Sequence, residues 1–151
     1  MNNLVSFIVF FTFFSLFANF AEAQKAPVIN HVAISVTNLK RSINFYSSVV
    51  GLDSIPEPFK DGKHAWFILG EKISLHIIED APEIKSYFKN AHLCLSTSNL
   101  AAFIDKLKKQ NIEFENVKGA KGELTTRIDG VQQIYFRDPD GYWIEMNNAK
   151  N

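Results

Sequence analysis

The sequence predicts an α+β fold in which one βαβββ unit occurs twice. Three observations carry this. Short runs alternate apolar and polar residues with the period of a strand. Two longer runs place apolar residues three or four apart, the period of a helix. The layout around His31 and Asn38 returns around His92 and Asn99 at the same offset of 61 residues, the mark of an internal repeat.

Residues 28–36 (VINHVAISV) alternate strictly, with Val32, Ile34 and Val36 on one face and His31, Ala33 and Ser35 on the other. Thr37 and Asn38 supply a helix N-cap, Leu39, Ile43, Tyr46 and Val50 follow at helical spacing, and Gly51 sits where a left-handed residue ends a helix. Residues 54–59 form a short segment closed by prolines. Asp61-Gly62 turns the chain into a strand over 64–69, Gly70 turns it again, and 73–79 (ISLHIIE) is the next strand. That completes βαβββ. Residues 80–91 contain Pro82 and mixed charge and read as a connector with one helical turn over 84–88. Residues 92–96 (HLCLS) repeat the first strand, and Leu100, Phe103, Ile104 and Leu107 make a second amphipathic helix with Lys106, Lys108 and Lys109 at its C-terminal end, where the dipole favours cations. A strand over 112–117, a glycine-containing loop over 118–130, and a hairpin of strands 131–136 and 142–147 joined by Asp138-Pro139-Asp140-Gly141 finish the second unit.

How much of the chain belongs to the folded part is set by its start. Residues 4–20 carry no charge and hold seven of the fourteen phenylalanines, and Ala21 and Ala23 stand at the −3 and −1 positions of a cleavage site before Gln24. This reads as a signal peptide over 1–23, removed on export to a secreted or periplasmic location. Its removal takes Glu22, one of 16 acidic residues, and leaves 16 basic against 15 acidic side chains. A balanced charge excludes a nucleic-acid or anionic-membrane partner. Cys94 is the only cysteine, which excludes an intrachain disulfide and a thiolate-rich zinc site.

Polar interruptions mark the candidate site. In the last strand Trp143, Glu145 and Asn147 lie on one face and Ile144 and Met146 on the other, so a carboxylate stands mid-strand and needs a partner. A pseudo-twofold axis between two like modules predicts that His31 and His92 face each other, with His76 and Glu145 at matching places in the last strand of each module. Three imidazoles and one carboxylate suit a divalent Zn, Ni, Co, Mn or Fe ion. His64 and Trp66 in the third strand are expected to line the same cup, and Lys121 and Arg127 in the long loop to meet an anionic group of the substrate. Cys94 shares the ligand face and receives no role.

With Asn30-His31-Val32, Ser42-Ile43-Asn44-Phe45-Tyr46, Gly51-Leu52 and above all IYFRDPDGYWIEM over 134–146, the chain resembles the vicinal oxygen chelate (VOC) superfamily. That superfamily includes glyoxalase I, extradiol dioxygenases, fosfomycin-resistance thiol transferases and bleomycin-binding proteins. The resemblance implies one VOC domain over 24–151, with module one about 28–80 and module two about 91–148, and a mixed sheet curled into a cup, the glyoxalase/bleomycin-resistance/dioxygenase fold. It carries metal ligation over to His31, His76, His92 and Glu145, and adds Tyr135 to the residues facing substrate. Glyoxalase I usually has glutamate at the place of His76, and the thiol transferases have a tyrosine at the place of Tyr135. The expected activity is that of an exported metal-dependent lyase or isomerase like lactoylglutathione lyase, with Glu145 as ligand and proton-transfer base, acting on a small molecule as a homodimer. The alternatives are a thiol transferase, an extradiol dioxygenase and a non-enzymatic antibiotic-binding module.

Overall fold

The computed structural model describes residues 26–150. The apolar segment and the expected cleavage site before Gln24 lie outside them. Module one runs β1 (His31–Val36), α1 (Leu39–Asn44), a wider π-type turn of helix (Phe45–Val50), β2 (Ser54–Ile55), β3 (His64–Gly70) and β4 (Ile73–Glu79). Module two runs β5 (His92–Ser96), α2 (Leu100–Lys109), β6 (Phe114–Glu115), β7 (Thr125–Thr126), β8 (Gln132–Arg137) and β9 (Trp143–Asn147). Each module forms its own mixed sheet, ordered β1-β4-β3-β2 and β5-β9-β8-β6, with β7 also on β8. In both, the first and last strands pair in parallel and the other pairs are antiparallel. No described helix is long and apolar enough to cross a membrane.

Local chemistry accounts for the element limits. The side chains of Asn38 and Asn99 accept from the amides of Arg41 and Ala102, capping both helices. Gly51 ends the first helix at φ +89°, and its amide reaches the Tyr46 carbonyl at 3.0 Å. Between Asn44 and Gly51 the helix widens, which 3.6-residue spacing does not foresee. The widening puts the adjacent residues Phe45 and Tyr46 both in the core, so the buried face is Leu39, Ser42, Phe45, Tyr46 and Val49, with Ile43 and Val50 only partly covered. The expected strand over 112–117 is reduced to Phe114–Glu115, and the expected turn of helix over 84–88 does not form. The segment's backbone instead serves a side chain of module two, the Tyr87 carbonyl accepting the Trp143 indole N–H at 3.0 Å.

The apolar faces of both sheets share one core. Phe67, Leu75 and Ile77 from module one meet Leu107, Ile134, Phe136 and Ile144 from module two, with the ring of Phe45 6.3 Å from that of Phe136. Fully burying side chains of this size stabilises by about 1.5–3 kcal/mol each. The opposite faces carry the polar residues.

The β8–β9 turn locks the modules together. Asp140 is 2% exposed, and its carboxylate accepts from the amide and hydroxyl of Thr37 (2.8 and 2.7 Å), the hydroxyl of Ser42 (2.9 Å) and the guanidinium of Arg41 (2.9 Å). Burial raises its pKa, but these donors outweigh burial and hold it below the ordinary aspartate value. Asp138 accepts the Tyr46 hydroxyl at 2.8 Å and the amides of Asp140 and Tyr142. Here burial wins and pushes the carboxyl up to about 6. Gly141 has φ +92°, and a Cβ there would stand 2.2 Å from the Lys85 carbonyl oxygen.

Candidate metal centre

On module one the polar face of β1, β4 and β3 brings Ala33, His76 and Trp66 into one row, with His31 and His64 beside it. The His76 ring lies 6.0 Å from that of His31, 5.1 Å from that of His64 and 4.9 Å from that of Trp66. Phe59 stacks on His76 at 5.6 Å, with the two planes 8° apart. Burial first, and then the charges of His64 and His31, push the His76 imidazole below the ordinary histidine value and keep it neutral. Its Nε2 and the Trp66 Nε1 are buried without a hydrogen-bond partner. A buried imidazole nitrogen without a partner is costly, and a metal ion bound at Nε2 would relieve it. His31 Nδ1 lies 2.8 Å from Asn30 Oδ1, an acceptor, which leaves Nε2 to carry the lone pair.

On module two the equivalent face holds Glu145, 5% exposed. Tyr135 donates its hydroxyl to Oε2 at 2.7 Å, while Asn147 Nδ2 (2.9 Å) and Cys94 Sγ (3.3 Å) approach Oε1. Burial raises the Glu145 pKa, yet these donors and the charge of His92 outweigh it and hold the group ionised, below the ordinary glutamate range. Gln133 donates to Tyr135 at 2.6 Å. Burial and the neighbouring carboxylate push the Cys94 thiol up to about 11. His92 Nε2 stands 3.3 Å from Glu145 Oε2, and its Nδ1 lies 2.7 Å from the Lys89 carbonyl. A carbonyl only accepts, so Nδ1 carries a proton and Nε2 is the nitrogen that faces the carboxylate. A proton on Nε2 makes this an ion pair with Glu145, and a metal ion in the proton's place would be held by Nε2 with the Lys89 carbonyl as the outer partner. The donor set therefore fits a divalent ion.

The structure forms two pairs rather than one set of four. His31 joins His76, and His92 joins Glu145. Among the described residues, no group of three or more His, Cys, Asp or Glu side chains could hold a metal. The expected meeting of His31 with His92 is not seen as a contact within one chain, although Val32, Ala33 and Ile34 of β1 line one cavity with His92 and Leu93 of β5. The Ser35 amide lies 3.2 Å from the Tyr142 hydroxyl, so the far end of β1 touches module two.

The remaining expected residues divide. His64, Trp66 and Tyr135 line the polar faces. Lys121 pairs with Glu113 at 2.9 Å and Arg127 with Asp129 at 2.6 Å, all of them well exposed. The sequence reading missed Lys89, which lies over the rings of Tyr135 and Trp143, and Arg137, which stacks on Trp143. Strand alternation was a signal for Arg137, since it shares its face with Tyr135. Lys89 offered none.

Comparison with known proteins decides the family. Residues 28–146 match the Glyoxalase/Bleomycin resistance protein/Dioxygenase superfamily. The chain belongs to that superfamily. Among curated VOC relatives, Glyoxylase I 4 of Arabidopsis thaliana is 26% identical over 128 residues, covering 80% of this chain and 70% of that protein. Metallothiol transferase FosB of Shouchella clausii is 30% identical over 125 residues, covering 80% of each. Among solved structures, Oxidase ChaP-H2 superposes with a TM-score of 0.69 at 18% identity, over 83% of this chain and 96% of that one, a likeness of fold alone.

Proposed function

We propose that this VOC protein is an exported, divalent-metal-dependent lyase or isomerase that acts on a small molecule with vicinal oxygens. It works as a homodimer in which His31 and His76 of one protomer and His92 and Glu145 of the partner subunit hold the metal. The observation that carries this reading is the pair of incomplete sites. His92 Nε2 faces a carboxylate oxygen at 3.3 Å, and His76 Nε2 is buried with nothing to bind. A two-fold axis that joins one half to the other satisfies both.

A bound divalent ion supplies Lewis acidity to a substrate oxygen, making the adjacent carbon-bound proton easier to remove. The chain's own residues do the rest. Tyr135, backed by Gln133, fixes Glu145 Oε2, and Asn147 fixes Oε1. A carboxylate with this many donors is a firm ligand and a weak base, so the geometry favours the ligand role of Glu145. It takes up a proton only when a donor at Oε1 is displaced. Phe59 and Trp66 cover the His76 side and keep water from it.

Thiol transfer is the second reading, favoured by the similarity to Metallothiol transferase FosB and by a Tyr135 hydroxyl on the reacting face. Metal analysis and chelator dialysis of the purified protein test the proposal. Isomerisation of 2-oxoaldehyde thiol adducts and thiol addition to epoxides are then assayed side by side. Activity is expected to fall with metal removal and return when Ni, Zn, Co, Mn or Fe is added. A protein that is isolated metal-free and keeps its activity in chelator overturns it. Export predicts an intact mass that begins at Gln24, and retention of residues 1–23 in the exported species refutes cleavage.

A further inference from the structure

One cation on the polar face of module two is left without an anion. Arg137 stands opposite Trp143 in the β8–β9 register, and its guanidinium carbon lies 4.3 Å from the centroid of the indole. Stacking holds a guanidinium without consuming its N–H groups, so the donor fork stays available. The neighbouring cations are already engaged. Lys89 pairs with Glu115 and reaches the carbonyls of Asn116 and Val117 at 3.2 and 3.3 Å, and Lys121 pairs with Glu113. Those pairings also neutralise the two glutamates that would repel an anion here. Arg137 itself has no carboxylate partner among the described residues.

Beside it opens a cavity of about 350 Å³ lined by Glu115, Lys121, Tyr135, Arg137 and Trp143. At ~30 Å³ per water this space holds on the order of ten waters, enough for a small organic anion. Tyr135 belongs to this cavity and to the metal half-site at once: its ring is a wall of the first, and its hydroxyl donates to Glu145 in the second. Arg137 is two residues further along β8, about 7 Å at strand rise.

We infer that Arg137, laid on Trp143, binds a carboxylate or phosphate group of the substrate and so orients it toward the Tyr135–Glu145 contact. The identity of the anion as part of a substrate rests on the proposed enzymatic reading; the binding itself does not. The chemistry recognised is a planar or tetrahedral oxyanion met by two parallel N–H groups, which neither of the expected loop cations, Lys121 and Arg127, is free to offer.

Tryptophan fluorescence of the metal-free full chain tests this, because Trp143 touches the site and no bound metal is present to capture the anion. Succinate, inorganic phosphate and uncharged dimethyl succinate are titrated against wild type, Arg137→Gln and Arg137→Lys. A saturable change is expected with succinate or phosphate, the tighter of the two naming the group, and none with the ester. Arg137→Gln should weaken binding about tenfold or more, and Arg137→Lys should fall between, keeping charge but losing the fork. Arg137 is exposed, so both variants should melt with wild type; if the glutamine form does not, the lysine form carries the comparison. Equal affinity in wild type and variants, ester binding as tight as succinate, or no saturable anion binding in wild type overturns the inference. Because the titrations use metal-free protein, failure of the enzymatic reading leaves their result unchanged.

Discussion

Mixing two inactive variants is the sharpest test of a site shared between protomers. His31→Ala removes a ligand from one half of the site and Glu145→Gln from the other. On the proposed reading each, purified alone, is a homodimer with a lesion in every site. Each should lose more metal affinity than the ~10- to 100-fold that outer-partner changes cost, since a direct ligand is gone. No group of three or more ligands forms among the described residues of one chain, and on the proposed reading His31 and Glu145 of one site come from two chains. In a heterodimer of the two variants one site then carries both lesions and the other carries none. Random pairing makes about half of all dimers mixed, so about a quarter of the sites are intact. Co-expression followed by metal analysis and turnover on a 2-oxoaldehyde thiol adduct reads this out. Recovery to about a quarter of wild type is expected. A co-expressed mixture no better than the mean of its parents would refute the shared site, because a site built within one chain carries a lesion in every copy.

Three further predictions concern the turn that joins the modules. Asp140→Ala strands the Thr37 amide and the Ser42 hydroxyl in the core and should cost about 3–5 kcal/mol, measured by urea unfolding; a loss below ~1 kcal/mol contradicts a locking role. Burial raises the Asp138 carboxyl to about 6 from the ordinary aspartate 3.8, so its contribution to stability is fully present below ~4 and is lost as pH rises through 6. Two units correspond to roughly 3 kcal/mol, so the stability of wild type relative to Asp138→Asn should fall by about that much from pH 4 to pH 7, and a pH-independent difference would show the carboxyl to be unperturbed. Gly141→Ala places a Cβ against the Lys85 carbonyl in a left-handed backbone and should destabilise by about 2 kcal/mol or more; an unchanged thermal midpoint would show that the 80–91 connector can yield.

Family, strand faces and helix ends were legible in the sequence because each depends on short-range chemistry. Alternation put His92 and Glu145 on matching faces, and parallel pairing of β5 with β9 makes them neighbours. Asn38, Asn99 and Gly51 cap and end helices through contacts within five residues. The expected convergence of His31, His76, His92 and Glu145 within one chain went further than local pattern allows. It took the repeat as evidence of how the modules sit, whereas a repeat fixes what each module is and leaves their mutual placement open. That placement rests on Asp140 reaching Thr37 and Ser42, Asp138 reaching Tyr46, and Phe45 meeting Phe136, contacts about 90 to 105 residues apart with no period to reveal them. The same holds for Arg137. Its face could be read from strand alternation, but only the packed structure, by pairing Lys89 with Glu115 and Lys121 with Glu113, leaves its charge unmatched beside a cavity. Sequence by itself determined which residues could bind; the buried, long-range contacts between modules decided which of them meet.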